Sequence, residues 1–272
     1  MGVGDRIRVM NHRGTEAGRP NPASGTAYGI DGCRAGWLYF GFGRSGDSRW
    51  GVVGAIEELV SRADDSDRIF VDIPIGLPNG PERRLCDREA RRRLGARRAG
   101  SVFPAPVRAA LTADTYEDAN RISREETGRG MTRQTFAILP RVREVDCLLR
   151  NSEKARHMVR EVHPEICFWA LAGRSRLRNG KKTGGGFDER FALLEGFRPS
   201  VGEEFARIRT EFRCWDVADD DILDAMAAAI TASADPVALK TLPAHPTIDS
   251  HDLPMEMVYL ADPHPHPREW DQ

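Results

Sequence analysis

The run Arg68-Ile69-Phe70-Val71-Asp72-Ile73-Pro74 limits the possible folds most. It is apolar almost throughout, closes on an acid, and is stopped by Pro74, Gly76 and Pro78. A strand without polar alternation belongs inside a sheet. The chain before it supplies neighbours. Tyr28 to Phe40 has the pattern strand, tight turn, strand: Asp31 closes the first strand, Gly32 and Gly36 provide the turn, and Trp37-Leu38-Tyr39-Phe40 returns. Residues 49–55 can form a third strand, and Ile56, Leu59 and Val60 mark one face of a short helix.

Beyond Pro81 the periodicity turns helical to about Asn151, with Cys86, Ala90 and Leu94 four apart and further helical patterns over 115–127 and 134–150. Residues 159–165 then predict a short strand reaching a third acid, Glu165. Pro164 stands at the entry to the apolar helix 166–171. A basic, glycine-rich stretch over 174–186 precedes helices at 187–196 and 201–213. The last helix begins at Asp219, a natural cap. It puts Ile222, Leu223, Met226 and Ile230 on one face and Asp221 and Asp224 opposite.

This order predicts an α/β domain over residues 27–235, with a helical insert at about 81–151. Residues 1–26 are polar and lack the apolar core of a signal peptide, so a disordered extension is expected. Residues 236–272 are expected to be a proline-rich tail, with Pro263 to Pro267 solvated.

With 40 basic and 41 acidic residues, no global field attracts nucleic acid or membrane, so local asymmetry must carry any such reading. No apolar run approaches the roughly 18 residues of a membrane span. Five cysteines without zinc or C-x-x-C spacing fit reduced thiols and a cytoplasmic setting. Cys33 lies near Asp31 but has no histidine nearby in sequence to activate it.

Acids thus close three expected strands (Asp31, Asp72, Glu165) and occupy the start of the last helix (Asp221, Asp224). Each has a structural alternative: a turn residue, a strand terminator, or a first-turn acid favoured by the helix dipole. Asp224 lies past the cap, where that explanation is weakest. If these acids converge, two carboxylates ~4 Å apart repel by about 4 kcal/mol at an effective dielectric of 20. They would then take up protons or bind a hard cation.

Five stretches in order carry a resemblance: Gly29-Ile30-Asp31-Gly32-Cys33-Arg34-Ala35-Gly36-Trp37, Val71-Asp72-Ile73-Pro74-Ile75-Gly76-Leu77, Ser101-Val102-Phe103-Pro104-Ala105-Pro106, Glu161-Val162-His163-Pro164-Glu165 and Asp220-Asp221-Ile222-Leu223-Asp224-Ala225. With these the chain resembles the bacterial family known as domain of unknown function 429, described as predicted ribonuclease H-like nucleases. The resemblance implies a sheet of three antiparallel strands followed by parallel ones. It also implies Asp31, Asp72 and Asp224 as metal ligands, with Asp221 and Glu165 as candidates for a fourth. Two Mg²⁺ or Mn²⁺ ions held by such acids would support phosphodiester hydrolysis.

For substrate the basic segments are candidates: Arg34, Arg91 and Arg92, and Lys181 and Lys182 of the glycine-rich loop. Eight arginines fall between Arg83 and Arg98, as either a solvated helix face or a phosphate-tracking surface. The 181–186 loop lacks the P-loop order and can equally be a surface loop. His163 before Pro164 suits a packed imidazole better than a base. The expected function is therefore a metal-dependent nuclease acting on DNA or RNA. The alternatives are a non-catalytic nucleic-acid-binding scaffold, or an ATP-binding protein of the actin and sugar-kinase type. The latter normally needs a second Asp-Gly strand copy, which is absent here.

Overall fold

A computed structural model describes residues 25–43, 46–181 and 183–261. Five strands form the main sheet: β1 (Ala27–Cys33), β2 (Gly36–Phe42), β3 (Ser48–Val53), β4 (Arg68–Val71) and β5 (Val159–Glu161). Their order is β3-β2-β1-β4-β5. The first three strands pair antiparallel, and β4 and β5 run parallel to β1. Between β3 and β4 lies α1 (Ile56–Arg62). The long connection from β4 to β5 holds α2 (Leu85–Leu94), two short 3₁₀ turns, α3 (Tyr116–Thr127), α4 (Arg133–Asn151) and α5 (Glu153–Met158). After β5 come α6 (Pro164–Leu171), α7 (Gly184–Phe197), α8 (Val201–Glu211) and α9 (Asp219–Ser233). A hairpin of β6 (Leu239–Ile248) and β7 (Pro254–Leu260) follows.

The apolar run at 69–71 is buried on both faces because its residues alternate between two cores. Ile69 and Val71 join Ile30, Trp37, Leu139 and Val142 on the side of α1 and α4. Phe70 joins Leu38, Phe40, Phe168 and the alanines of α9 on the other. The sheet is therefore a middle layer between helices. On the α9 side, Ala225, Ala227, Ala228 and Ala229 favour helix and leave little bulk, so the helix can lie close to the strands. Gly29 completes the fit: a Cβ there would stand 2.1 Å from the Ala225 carbonyl oxygen and 2.2 Å from the Ala229 nitrogen.

Several sequence expectations change. The strand expected over 159–165 stops at Glu161; Val162 adds one N–H to the Val71 carbonyl at 3.0 Å. Glu165 is thus not at a strand end but in the first turn of α6. The last helix is capped at Ala218 rather than Asp219, and Asp221 reaches back to accept the Ala218 N–H at 2.8 Å. Residues 239–260, expected as part of a tail, form the hairpin, and Leu242, Met257 and Tyr259 pack with Cys86, Ala90 and Trp169. Its strand pairing shifts between Leu242 and Thr247, where Pro243 and Pro246 fall, as proline's missing N–H requires. The expectations for residues 1–24 and for Pro263 to Pro267 lie outside the described residues. Among the described residues, no helix is long and apolar enough to cross a membrane.

Candidate functional site

The ends of β1 and β4 make one side of the site. Both strands run in the same direction, Ile30 pairs with Val71, and the Asp72 N–H donates to the Ile30 carbonyl at 3.1 Å. One step further, Asp31 and Asp72 therefore stand on neighbouring strands about 4.8 Å apart. The chain leaves β1 toward β2 and β3 on one side, while β4 and β5 lie on the other. Open α/β sheets bind ligands at the carboxyl ends of strands at such a divergence. Here a cavity of about 130 Å³ opens, lined among others by Asp31, Asp72, Phe103, Arg141, Glu161 and His163.

Helix α9 brings the third carboxylate. Its contact at Gly29 seats Asp224, beside Ala225, against the end of β1; Asp224 is 3% exposed. Burial raises the Asp31 carboxyl well above the usual range, and Asp224 and Asp72 raise it further. Burial also raises Asp72, against the opposing influence of His163 and Lys181. Asp224 is pushed up to about 7 by burial, in spite of Lys181. Asp221 is raised by burial as well, while its N-cap hydrogen bond pulls the other way. Three segments far apart in sequence thus bring carboxylates near enough to disfavour one another's negative charge, with Asp31 and Asp72 on the cavity wall and Asp224 buried behind it.

Lys181 answers part of that charge. Expected as a phosphate contact, it instead pairs with Asp224 Oδ2 and stands 3.1 Å from Asp220 Oδ2. Burial works against its ammonium, but Asp224, Asp31 and Asp220 outweigh it and hold the group charged. The other oxygen of the same carboxylate, Asp224 Oδ1, is buried without a hydrogen-bond partner. Lys182 lies outside the described residues.

These side chains suit a hard divalent cation in chemistry: carboxylate oxygens, mutual repulsion, and one buried oxygen left over. The fit is incomplete in spacing, because among the described residues no three His, Cys, Asp or Glu side chains are set to grip an ion.

Glu165 faces away from this role. Its Oε2 accepts from Arg98 at 2.8 Å and its Oε1 from Arg190, which is 1% exposed. Burial disfavours the Glu165 anion, yet Arg190 and Arg98 hold its carboxyl below the usual range. The acid that does end β5 is Glu161, paired with the fully buried Arg84 and accepting the Ile75 N–H at 2.6 Å. Burial pushes Glu161 up to about 8 despite Arg84.

The arginines expected at substrate divide by role. Arg34 stacks on Trp215, 4.0 Å from the ring centroid. Arg91 donates twice to the Val102 carbonyl, at 2.9 and 2.5 Å, and so fastens the segment carrying Phe103. Arg92 is exposed, with Glu89 4.0 Å away. Nothing in the residue pattern around it marks Arg141. Its guanidinium donates to the Cys33 and Gly36 carbonyls, and its Nε would be 2.7 Å from a Cβ at Gly32. Sited in an ordinary amphipathic helix, it becomes visible only when α4 packs on the β1–β2 turn.

The family described as protein of unknown function (DUF429) matches residues 29–248, and the chain belongs to it. No curated protein and no solved structure matches the chain.

Proposed function

We propose that this member of the family is a metal-dependent phosphodiesterase acting on nucleic acid, built on a ribonuclease H-like sheet. The observation that supports the reading is the mutual influence of Asp31, Asp72 and Asp224, which raises the affinity of all three for protons, with Asp224 Oδ1 buried and unpartnered. The strand order, three antiparallel strands continued by two parallel ones, agrees with that fold.

Asp31, Asp72 and Asp224 would hold Mg²⁺ or Mn²⁺, with Asp221 at the margin. A hard divalent cation bound there supplies positive charge at the phosphoryl oxygens and makes water a better nucleophile at neutral pH. The chain's own groups do the rest. Arg141 lines the cavity with Asp31 and would meet a non-bridging phosphate oxygen. Phe103, 38% exposed on the same wall, offers a face to a base. Exposed Arg88 and Arg92, on the helix that sends Asp87 to the wall, are available to flanking phosphates. In hydrolysis, water gives up a proton to solvent as its oxygen adds to phosphorus, the bond to the leaving oxygen breaks, and that alkoxide takes a proton from solvent.

The test is cleavage of end-labelled single-stranded DNA, single-stranded RNA, duplex DNA and RNA–DNA hybrid with Mg²⁺ or Mn²⁺. Cleavage of at least one substrate, lost in Asp31→Asn, is expected. No cleavage of any of them, or cleavage that survives Asp31→Asn, would end the proposal.

A further inference from the structure

The turn between α8 and α9 is tightly built, yet it holds its largest side chain out in water. Arg209 donates to the Val217 carbonyl at 2.7 Å and to the Phe212 carbonyl at 3.3 Å. The Arg213 carbonyl accepts the Asp216 and Val217 N–H groups at 2.9 and 3.1 Å. Val217 is fully buried and packs into the core on the α9 side of the sheet. Trp215, two residues before it, is 70% exposed. Its indole meets the Arg34 guanidinium, which lies 4.0 Å from the ring centroid. Arg209 and Val217 already fix this turn, so its fold does not call for a tryptophan.

The pair stands next to the cavity. The Ala35 N–H donates to the Asp216 carbonyl at 3.2 Å, which ties the turn to the β1–β2 connection. The same connection is held by Arg141, whose guanidinium donates to the Cys33 and Gly36 carbonyls. Arg141 and Gly32 line the cavity, so Arg34 and Trp215 stand on the chain just beyond its wall. Among the described residues the exposed large apolar side chains are Phe103, Trp215, Val237 and Ile248. Both aromatic ones are thus at the cavity, Phe103 in its wall and Trp215 past the turn. An aromatic anchor for a protein partner is ringed by contacts that exclude water. Here the neighbours Arg34, Arg213 and Cys214 are themselves exposed, and neither arginine makes an ion pair with a described residue. An isolated ring beside unpaired cations suits a nucleobase, which is flat, apolar on its faces and joined to phosphate.

We infer that Trp215, backed by Arg34, is a stacking platform for an unpaired base, so that nucleic acid bound at the cavity is single-stranded where it passes the β1–β2 connection. This rests on the nucleic-acid reading above and narrows its substrate; it needs no bound ion. Every base has a π-face, so such a platform selects for single strands and not for sequence. Within a duplex those faces are covered by neighbouring base pairs, which leaves Trp215 nothing to stack on.

Anisotropy titrations of the full chain test this, in chelator so that no strand is cut. The probes are a labelled single strand, the same strand with abasic sugars in place of its bases, and a blunt duplex. Trp215→Ala is expected to weaken binding of the single strand about fivefold or more, the equivalent of one lost stack, and to leave the abasic strand and the duplex unchanged. Trp215→Phe keeps a ring and should retain most of the affinity. Both variants should melt as wild type does, because the indole is exposed; a lower Tm for Trp215→Ala makes the ring structural and overturns the inference. Unchanged affinity of Trp215→Ala for the single strand, or an equal loss on the abasic strand or the duplex, overturns it while leaving the nucleic-acid reading standing. A change of oligomeric state in Trp215→Ala without a change in strand affinity overturns it in favour of an interface between copies. No binding of any probe by wild type overturns it together with the nucleic-acid reading.

Discussion

Asp224→Asn should make the metal-free protein more stable at pH 8, even though it removes an ion-pair partner of Lys181. The Asp224 carboxyl is 3% exposed and sits at about 7 in the fold, against an ordinary 3.8. A carboxyl raised by folding contributes stability that is fully present below the unfolded value and is lost as pH rises through the folded one. The loss therefore falls between about pH 4 and pH 7. The gap of about 3 pH units corresponds to about 4 kcal/mol at pH 8, an upper bound because Asp31 and Asp72 titrate alongside it. Asparagine keeps the shape of the protonated acid and never ionises, so it avoids this cost. A gain of about 2–4 kcal/mol would appear as a rise of roughly 4–8 °C in Tm. Thermal melts of chelator-treated wild type and Asp224→Asn at pH 4, 6 and 8 measure it. The two curves should meet near pH 4 and separate upward. A variant less stable than wild type at pH 8, or a difference independent of pH, would refute the reasoning. The ion pair with Lys181 would then outweigh burial.

Three other outcomes follow from the same contacts. Gly29→Ala forces a Cβ against the α9 backbone and should cost about 3 kcal/mol or more in urea unfolding, with the helix displaced from β1. Glu165→Gln leaves Arg98 and the buried Arg190 without a counter-charge and should cost about 3–5 kcal/mol, while Mn²⁺ binding by the folded protein persists. A lost metal site with unchanged stability would instead make Glu165 a ligand. Arg92→Ala should leave Tm unchanged and lower the salt dependence of nucleic-acid binding by roughly one unit of slope, whereas Arg91→Ala should lower Tm by loosening the Val102 segment. Equal effects of the two on Tm would contradict the division of roles.

The strands and two of the three central acids were legible because their signals are local. An apolar run closed by Asp72 puts that carboxylate just past the end of β4, whereas Asp31, expected to close its strand, lies two residues inside β1, which continues through Gly32 to Cys33. Asp224 was legible by exclusion, since capping explains Asp221 and not its neighbour a turn later. What failed were contacts between distant segments. Within residues 161–165 two acids compete for the strand end, and the sequence favoured Glu165. The chain turns into α6 at His163 and Pro164, so Glu161 ends the strand and finds Arg84, 77 residues earlier. Lys181 lies in a glycine-rich stretch that locally resembles any surface loop, and its partner is 43 residues away. The hairpin of β6 and β7 was hidden by its prolines, of which Pro243 and Pro246 fall where the pairing is interrupted.

Whether Asp31, Asp72 and Asp224 hold a cation is decided by an anomalous difference map from crystals soaked in Mn²⁺. A peak within about 2.5 Å of oxygens from all three aspartates is expected. Such a distance is the upper end for oxygen ligands on hard divalent cations. No peak among these carboxylates in crystals that bind Mn²⁺ elsewhere would contradict it.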